Sequence, residues 1–414
     1  MIKKCYTIIS TILIGIMFTT PLTLSCSAQE FPQKHLASLA TLQNNVATKS
    51  DSLSSSQSTN VNLNQKVDEI CRRYGVTGAS IAAFNQGKIV YTHSYGNARP
   101  GQAANENTKY RIASISKAVT AALAMHLEEE GKLNLDDDIA KIHPNLQNPF
   151  YPDTKATLEM LMTHTSGIID GAGYNSAISQ SPFPSLDAVL QQNNFSGSKP
   201  GSQYAYSNFG MGLVSAAIEK ASGQYFYDYA QETLFKPLGI DAAYLTNYIE
   251  DKQSLAALGS VDPLSWKNMK WAYDSIPLGE MYLLGQGELY ISASDLAKIA
   301  MIMAGDGTYL SAESGQKESF LNKETLDKVH TVRVYDETTN TSRGLAFQMS
   351  DDIIDGVQLW GHQGNAYGVI SCMFYDRESQ KGVVFLTNNA SSARAPSKVY
   401  AVNDAIIKSV WEFI

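Results

Sequence analysis

The apolar and polar positions along this chain give strand-like patterns near both ends of its main body and helical patterns between them. A short helical pattern at Val67 to Tyr74 leads into two strand-like runs, Ala79 to Phe84 and Lys88 to Tyr95, with a short turn between them. From Ser114 the period becomes helical, and Ala118, Val119, Ala121, Ala122, Leu123, Met125 and Leu127 are apolar nearly all round before Glu128 to Glu130 and Gly131. That pattern predicts a buried helix with Ser114 at its N-terminus. Helical and loop patterns dominate from about 151 to 287, and strands return near Leu345 to Met349, Gly368 to Tyr375 and Gly382 to Asn388. A last helix is expected over about Ser397 to Phe413, packing back on the sheet. The fold class that follows is α/β plus all-α: one antiparallel sheet built from both ends of the chain, flanked by N- and C-terminal helices, with a helical region inserted.

Ahead of this body the pattern is different. Lys3 and Lys4 followed by TIISTILIGIMF form the charged and apolar parts of a secretory signal, and the apolar run is short for a membrane span. The signal is read as residues 1–25. TLSC, ending at Cys26, resembles a lipoprotein box with Thr23 where leucine is usual, while cleavage after Ala28 is sterically reasonable too. The Ser-, Gln- and Asn-rich stretch onward to residue 64 has the composition of a flexible tether, which favours a lipid at Cys26. An extracytoplasmic protein is expected, either lipid-anchored or secreted. The folded body is placed at 65–414, its α/β part at about 65–150 and 288–414 and its helical part at about 151–287.

Composition narrows the partners. A chain of 414 residues at 44% hydrophobic can fill one large core or two closely packed ones. The net charge of −8 speaks against nucleic acid, which requires a basic surface. Of the four cysteines, Cys5 leaves with the signal and Cys26 is lipidated or lost. Cys71 and Cys372 remain, as a disulfide or as two separate buried thiols. No metal spacing such as His-Glu-x-x-His and no Gly-x-Ser-x-Gly elbow occurs, so no metal and no cofactor is expected.

Three short motifs carry candidate chemistry: Ser114-Ile115-Ser116-Lys117, Tyr206-Ser207-Asn208 and His362-Gln363-Gly364. A serine hydroxyl is a poor nucleophile until a base takes its proton, and Lys117 lies one turn along the same helix face. The helix N-terminus adds backbone N–H groups and a positive dipole end that favour a developing negative charge. Free lysine and free tyrosine both titrate at about 10, so Lys117 needs burial or a nearby positive charge to serve as base, whereas Tyr206 needs a cationic neighbour to make its phenolate accessible. The residues leave that choice open. Each motif also has a bland reading: an N-capping serine, a solvated lysine, a core tyrosine among 22, a histidine in a strand. Ser-x-x-Lys recurs at Ser196 to Lys199 and at Ser314 to Lys317, and Tyr-x-Asn at Tyr95 to Asn97, but neither Ser-x-x-Lys copy opens a helical pattern.

The order of the motifs within the whole chain is more specific than any one of them. From about residue 62 to the C-terminus the chain resembles the serine β-lactamase and penicillin-binding protein superfamily, in the branch of class C β-lactamases, DD-peptidases, D-aminopeptidases and related esterases. Besides Ser-x-x-Lys, the matching segments are LEMLMTHTSGI (158–168), KPGSQYAYSNFGMGLVSAAIEKASG (199–223), LFKPLGI (234–240), LYISASDLAKIA (289–300) and WGHQGNAYGVISCMFYDRESQKGVVFLTNN (360–389). The resemblance implies the same fold with the active site in the cleft between its two parts. It implies Ser114 as nucleophile, Lys117 as its activating partner, and Tyr206 as candidate base and proton donor to the leaving group. Asn208 would then bind the substrate amide carbonyl and hold Lys117. Gly364 would leave room for substrate along the strand edge, and the backbone N–H groups of Ser114 and Asn365 would form the oxyanion hole.

One departure matters. Class C β-lactamases typically carry Lys-Thr-Gly at the third motif, whereas His-Gln-Gly is associated with the peptidases, aminopeptidases and esterases of the branch. His362 is thus expected to be a weak, pH-dependent anchor for a substrate carboxylate, with Arg343, Arg394 and Lys398 as further candidates. The expected substrates are D-amino-acid peptides of the cell wall. Alternatives are an ester or a weakly hydrolysed β-lactam on the same scaffold, or a non-catalytic protein that binds peptidoglycan or β-lactam.

Overall fold

The computed structural model describes residues 60–414 apart from 260 and 261. The expected signal (1–25), Cys5, Cys26 and nearly all of the expected tether therefore lie outside the described residues. The described part belongs to one unit spanning 59–414. Its first helix runs over 60–73, so the tether read as 26–64 gives up its last five residues to the folded body. Leu63, Val67, Ile70 and Cys71 are the buried positions of that helix, an i, i+4, i+7, i+8 stripe.

A nine-stranded antiparallel sheet forms the framework. In spatial order its strands are Gln102–Ala103, Lys88–Arg99, Gly78–Asn85, Lys381–Thr387, Val369–Asp376, Leu359–Ala366, Gln348–Ser350, Thr341–Arg343 and Val334–Asp336. Both ends of the chain thus contribute, joined where Ile81 pairs with Phe385. Asn85 pairs with Lys88 across Gln86 and Gly87, whose φ of +49° and +73° give a two-residue turn that matches the right-handed strand twist. Two strands in the His362 half, Thr341–Arg343 and Val334–Asp336, were not legible in the sequence, and Leu359–Ala366 was expected only as the strand edge that the resemblance implied at Gly364.

The central strands are apolar throughout because both faces of the sheet are covered. Ile81, Ala83, Cys372, Phe374, Val383 and Phe385 face a cluster that includes the 60–73 helix and the helix Ala401–Trp411. Their alternates Ala82, Phe84, Met373, Tyr375, Val384 and Leu386 face the larger core. This two-sided burial, rather than a polar and an apolar face, explains the continuous apolar runs. Cys71 and Cys372 are buried and unpaired in the first cluster, two thiols rather than a disulfide. Among the described residues no helix is long and apolar enough to cross a membrane.

The larger core holds the helix Ser116–Glu129, buried on nearly all sides, against the helix Asn208–Ser222. The segment around Leu284–Gln286 lies against both. Gly285 N–H donates to Ser215 and its carbonyl accepts from Thr120, and a Cβ at Gly285 would stand 2.2 Å from Ser215 Oγ. Only glycine lets this segment come so close, and the approach carries the Gln286 carbonyl to Lys117.

Candidate active site

The nucleophile candidate sits in a short 3-10 turn, Ala113–Ile115, that runs straight into the helix Ser116–Glu129. Ala113 has φ +48°, a left-handed conformation that costs a non-glycine residue about 1–3 kcal/mol and persists only where the surroundings impose it. Here the imposing neighbour is the strand Leu359–Ala366. A Cβ at Gly364 would lie 2.3 Å from the Ile112 carbonyl oxygen. The space left by Gly364 is therefore taken by the main chain just before Ser114, not by room for substrate as the resemblance implied. That contact presses the nucleophile turn against the strand edge.

Lys117 is fully buried, and its Nζ is 3.0 Å from Ser114 Oγ, 2.8 Å from Asn208 Oδ1 and 2.5 Å from the Gln286 carbonyl oxygen. Tyr206, 39% exposed, places its hydroxyl 2.9 Å from the same Ser114 Oγ, with Lys117 Nζ 5.0 Å from its ring centre. An ammonium at Lys117 would give one proton to each of three acceptors. A neutral amine would keep the last two and turn its lone pair to the Ser114 hydroxyl. Either protonation state is satisfied, so the geometry accommodates Lys117 or Tyr206 as the acceptor of the Ser114 proton.

The Tyr206-Ser207-Asn208 segment enters the helix Asn208–Ser222. Ser207 is its N-cap, with Oγ accepting from Gly210 N–H at 2.9 Å. His164, held at φ +57°, accepts the Ser207 N–H on Nδ1 at 3.2 Å, and its ring lies 4.4 Å from that of Tyr206. Burial, then the charges of Arg343 and Lys117, hold His164 well below the usual histidine range, so its proton is on Nε2 and Nδ1 is an acceptor. Asp170 accepts from Ser207 Oγ, Asn208 Nδ2 and Phe209 N–H at 3.1, 2.8 and 2.8 Å. Neither His164 nor Asp170 stands out as a site residue in the sequence. The matching segment 158–168 contains the first and stops two residues short of the second.

Two cavities meet at Ser114. One, of about 480 Å³, is lined by Arg111, Asp170, Asn208, Trp266, Tyr273 and Tyr367 among others. The second, of about 370 Å³, is lined by Tyr206, Arg343, His362, Arg394 and Tyr400 among others. Ser114 and Asn365 line both, Asn208 only the first and Tyr206 only the second. Lys117 lines neither. Asn365 is held by a 2.7 Å bond from its Nδ2 to Tyr400 Oη.

His362 differs from its expected role. It is 5% exposed, and its Nδ1 lies 2.6 Å from the Gln363 carbonyl, which can only accept, so the ring proton sits on Nδ1. Burial first, then the charges of Arg343 and Lys117, push its pKa down to about 3. His362 is neutral wherever the protein is expected to work and offers a carboxylate no charge. The expected outcome is that the affinity for an anionic substrate shows no His362 step between pH 5 and 8; inhibition constants measured across that range check it, and a fall in affinity that His362→Gln abolishes would overturn it.

Of the other cations proposed for the cleft, Arg343 is committed to Asp336 at 2.9 Å and is buried. Arg394 is exposed, with its guanidinium 3.9 Å over the Tyr400 ring and Nη1 donating to the Lys398 carbonyl at 2.7 Å. The sequence decoys lie elsewhere: Lys317 pairs with Asp306 on the surface, and Lys199 is exposed in a loop.

A family model described as Beta-lactamase matches residues 63–406. The D-alanyl-D-alanine-carboxypeptidase/endopeptidase AmpH of Escherichia coli (strain K12) is 26% identical over 246 residues, 57% of this chain and 60% of AmpH. The chain spans less than two thirds of the curated relatives it matches, covering 66%, 36% and 60% of three of them. Among solved structures, the octameric penicillin-binding protein homologue from Pyrococcus abyssi superposes with a TM-score of 0.66 at 24% identity, over 85% of this chain and 77% of that one. The D-amino acid amidase from Ochrobactrum anthropi SV3, complexed with L-phenylalanine amide, gives 0.65 at 20% identity, over 85% and 98%. At these identities the structural likeness speaks for the fold.

Proposed function

Because the chain belongs to the beta-lactamase family, and so to a family of serine hydrolases, we propose that it is an exported hydrolase that forms an acyl-enzyme on Ser114 and acts on D-amino-acid peptides of the cell wall. The observation that carries this reading is that Lys117 Nζ and Tyr206 Oη converge on one oxygen, Ser114 Oγ, at the junction of two cavities. The acyl part of the substrate lies in the cavity shared with Asn208, whose amide holds the substrate carbonyl. The leaving part lies in the cavity shared with Tyr206, which returns the proton to it. The N–H groups of Ser114 and Asn365 receive the oxyanion. The relative named above as a D-alanyl-D-alanine-carboxypeptidase/endopeptidase supports peptide substrates with D-residues.

Arg394 supplies a cation in the leaving-group cavity that His362 does not, and a planar guanidinium braced on Tyr400 suits the terminal carboxylate of a departing D-amino acid. A second reading, an esterase, is favoured by the neutral His362, which makes no demand for an anionic leaving group. The experiment is to incubate the mature protein with a fluorophosphonate, with fluorescent penicillin and with a D-alanyl-D-alanine peptide, and to locate adducts by mass spectrometry. Arg394→Ala should raise KM for the peptide about tenfold or more while leaving fluorophosphonate labelling unchanged. Labelling at Ser114 without peptide turnover would leave the esterase reading standing, and no label from any reagent would overturn the acyl-enzyme. Export is supported by the Lys3-Lys4 and apolar pattern of residues 1–25 and would be checked by fractionation of the producing cell.

A further inference from the structure

A side-chain amide has two orientations of nearly equal shape, and only one presents an oxygen to Lys117. Asn208 holds that orientation: Oδ1 accepts from Lys117 Nζ at 2.8 Å and Nδ2 donates to Asp170 Oδ2 at 2.8 Å. We infer that Asp170 is a positioning residue for acyl transfer, which locks the Asn208 amide so that its oxygen faces Lys117 and its second N–H remains for the substrate carbonyl. This rests on the acyl-enzyme reading of Ser114 and adds to it a residue that contacts none of the three reacting side chains Ser114, Lys117 and Tyr206.

The chemistry of the carboxylate makes the lock one-sided. An ionised Asp accepts and never donates, so a flipped Asn208 would set oxygen against oxygen at Asp170 and N–H against N–H at Lys117. A glutamine or asparagine at 170 could follow the flip by turning over itself; the carboxylate cannot. Asp170 is in turn fixed from several directions. Its Oδ1 takes the Ser207 hydroxyl at 3.1 Å and the Phe209 N–H at 2.8 Å, the latter at the positive end of the helix Asn208–Ser222. Its backbone is held by Ile169 N–H on the Asn194 carbonyl at 2.8 Å and by its own carbonyl accepting from Asn175 Nδ2 at 2.8 Å. The same carboxylate lines the acyl-side cavity with Asn208 and Ser114, so the second Asn208 N–H is left on the side where substrate lies.

A purely structural helix cap would also use these contacts, and a double-mutant cycle separates the two roles. The second-order rate of Ser114 labelling by a fluorophosphonate is measured for the wild type, Asp170→Asn, Asn208→Ala and the double variant, each with its thermal midpoint. Asp170→Ala is run in parallel, so that a folding failure of one variant leaves the cycle readable in the other. Asp170→Asn is expected to slow labelling about a hundredfold, the loss typical of a misplaced reacting group, and to have an effect of less than about threefold once Asn208 is already alanine. An equal slowing in both backgrounds, or one that tracks the loss of thermal midpoint, would overturn the inference. Wild-type rates in a folded Asp170→Asn protein would overturn it as well. A wild type that is not labelled at all removes the acyl-enzyme reading, and this inference falls with it.

Discussion

Ser114→Ala is expected to abolish covalent labelling by fluorophosphonate and all peptide turnover while leaving the fold and its thermal midpoint nearly unchanged. The expectation follows from what surrounds the oxygen. Lys117 keeps two of its three partners when Ser114 Oγ is gone, the Asn208 oxygen and the Gln286 carbonyl. Tyr206 is 39% exposed, so its hydroxyl can turn to water. A neutral Lys117 amine still places both its protons, and an ammonium turns its third to the cleft that Ser114 lines, where water can accept it, so the stability change should stay within about 1 kcal/mol. No neighbouring hydroxyl can substitute. Ser116 is fully buried with Oγ accepting the Leu289 N–H, and Ser207 caps a helix and donates to Asp170. Intact-protein mass spectrometry after incubation with the probe provides the check, and an adduct on a folded Ser114→Ala protein would rule the mechanism out.

The sequence was informative wherever structure depends on neighbours along the chain. The buried Ser114 helix, the strands before it and the three ordered motifs are local patterns with one reading each once the order is considered. The strand Val334–Asp336 and its partner Thr341–Arg343 escaped because VYDETTNTSR is polar and each strand is three residues long, too short to show a period of two. The first turn of the 60–73 helix escaped because Asn60 to Asn64 share the composition of the tether before them, although Leu63 already belongs to the buried stripe. What failed at the site was non-local. His362 has the right position, but its charge is set by burial and by Arg343 and Lys117, all tertiary facts. Asp170 meets Asn208 only because the 163–171 turn and the start of the later helix are folded against each other. Gly364 was assigned to substrate because glycine in a strand leaves space, yet whether ligand or main chain fills that space is decided by where the Ser114 turn packs.

Lys117→Ala and Tyr206→Phe should each slow hydrolysis of an amide substrate by about 10² to 10⁴, the usual worth of a positioned proton-transfer group, but they should separate when the leaving group is changed. Ser114 cannot attack without losing its proton, whatever departs, and Lys117 is the partner on its buried side. An amide nitrogen cannot depart as an anion at neutral pH and needs a proton in the second cavity. Tyr206 lines that cavity and Lys117 does not. Fluoride leaves a fluorophosphonate with no such need. Tyr206→Phe is therefore expected to slow the peptide at least tenfold more than the fluorophosphonate, while Lys117→Ala slows both to a similar degree. Lys117→Ala should in addition lower the thermal midpoint, because the half-buried Asn208 Oδ1 and Gln286 carbonyl lose their donor, at a cost of up to about 1–3 kcal/mol for each group that water does not reach. Tyr206→Phe, altering an exposed hydroxyl, should not. Rates for the two substrates with the two variants settle the division of labour. Equal slowing of both substrates by Tyr206→Phe would make the tyrosine the base for attack, and unimpaired fluorophosphonate labelling of Lys117→Ala would remove the lysine from that step.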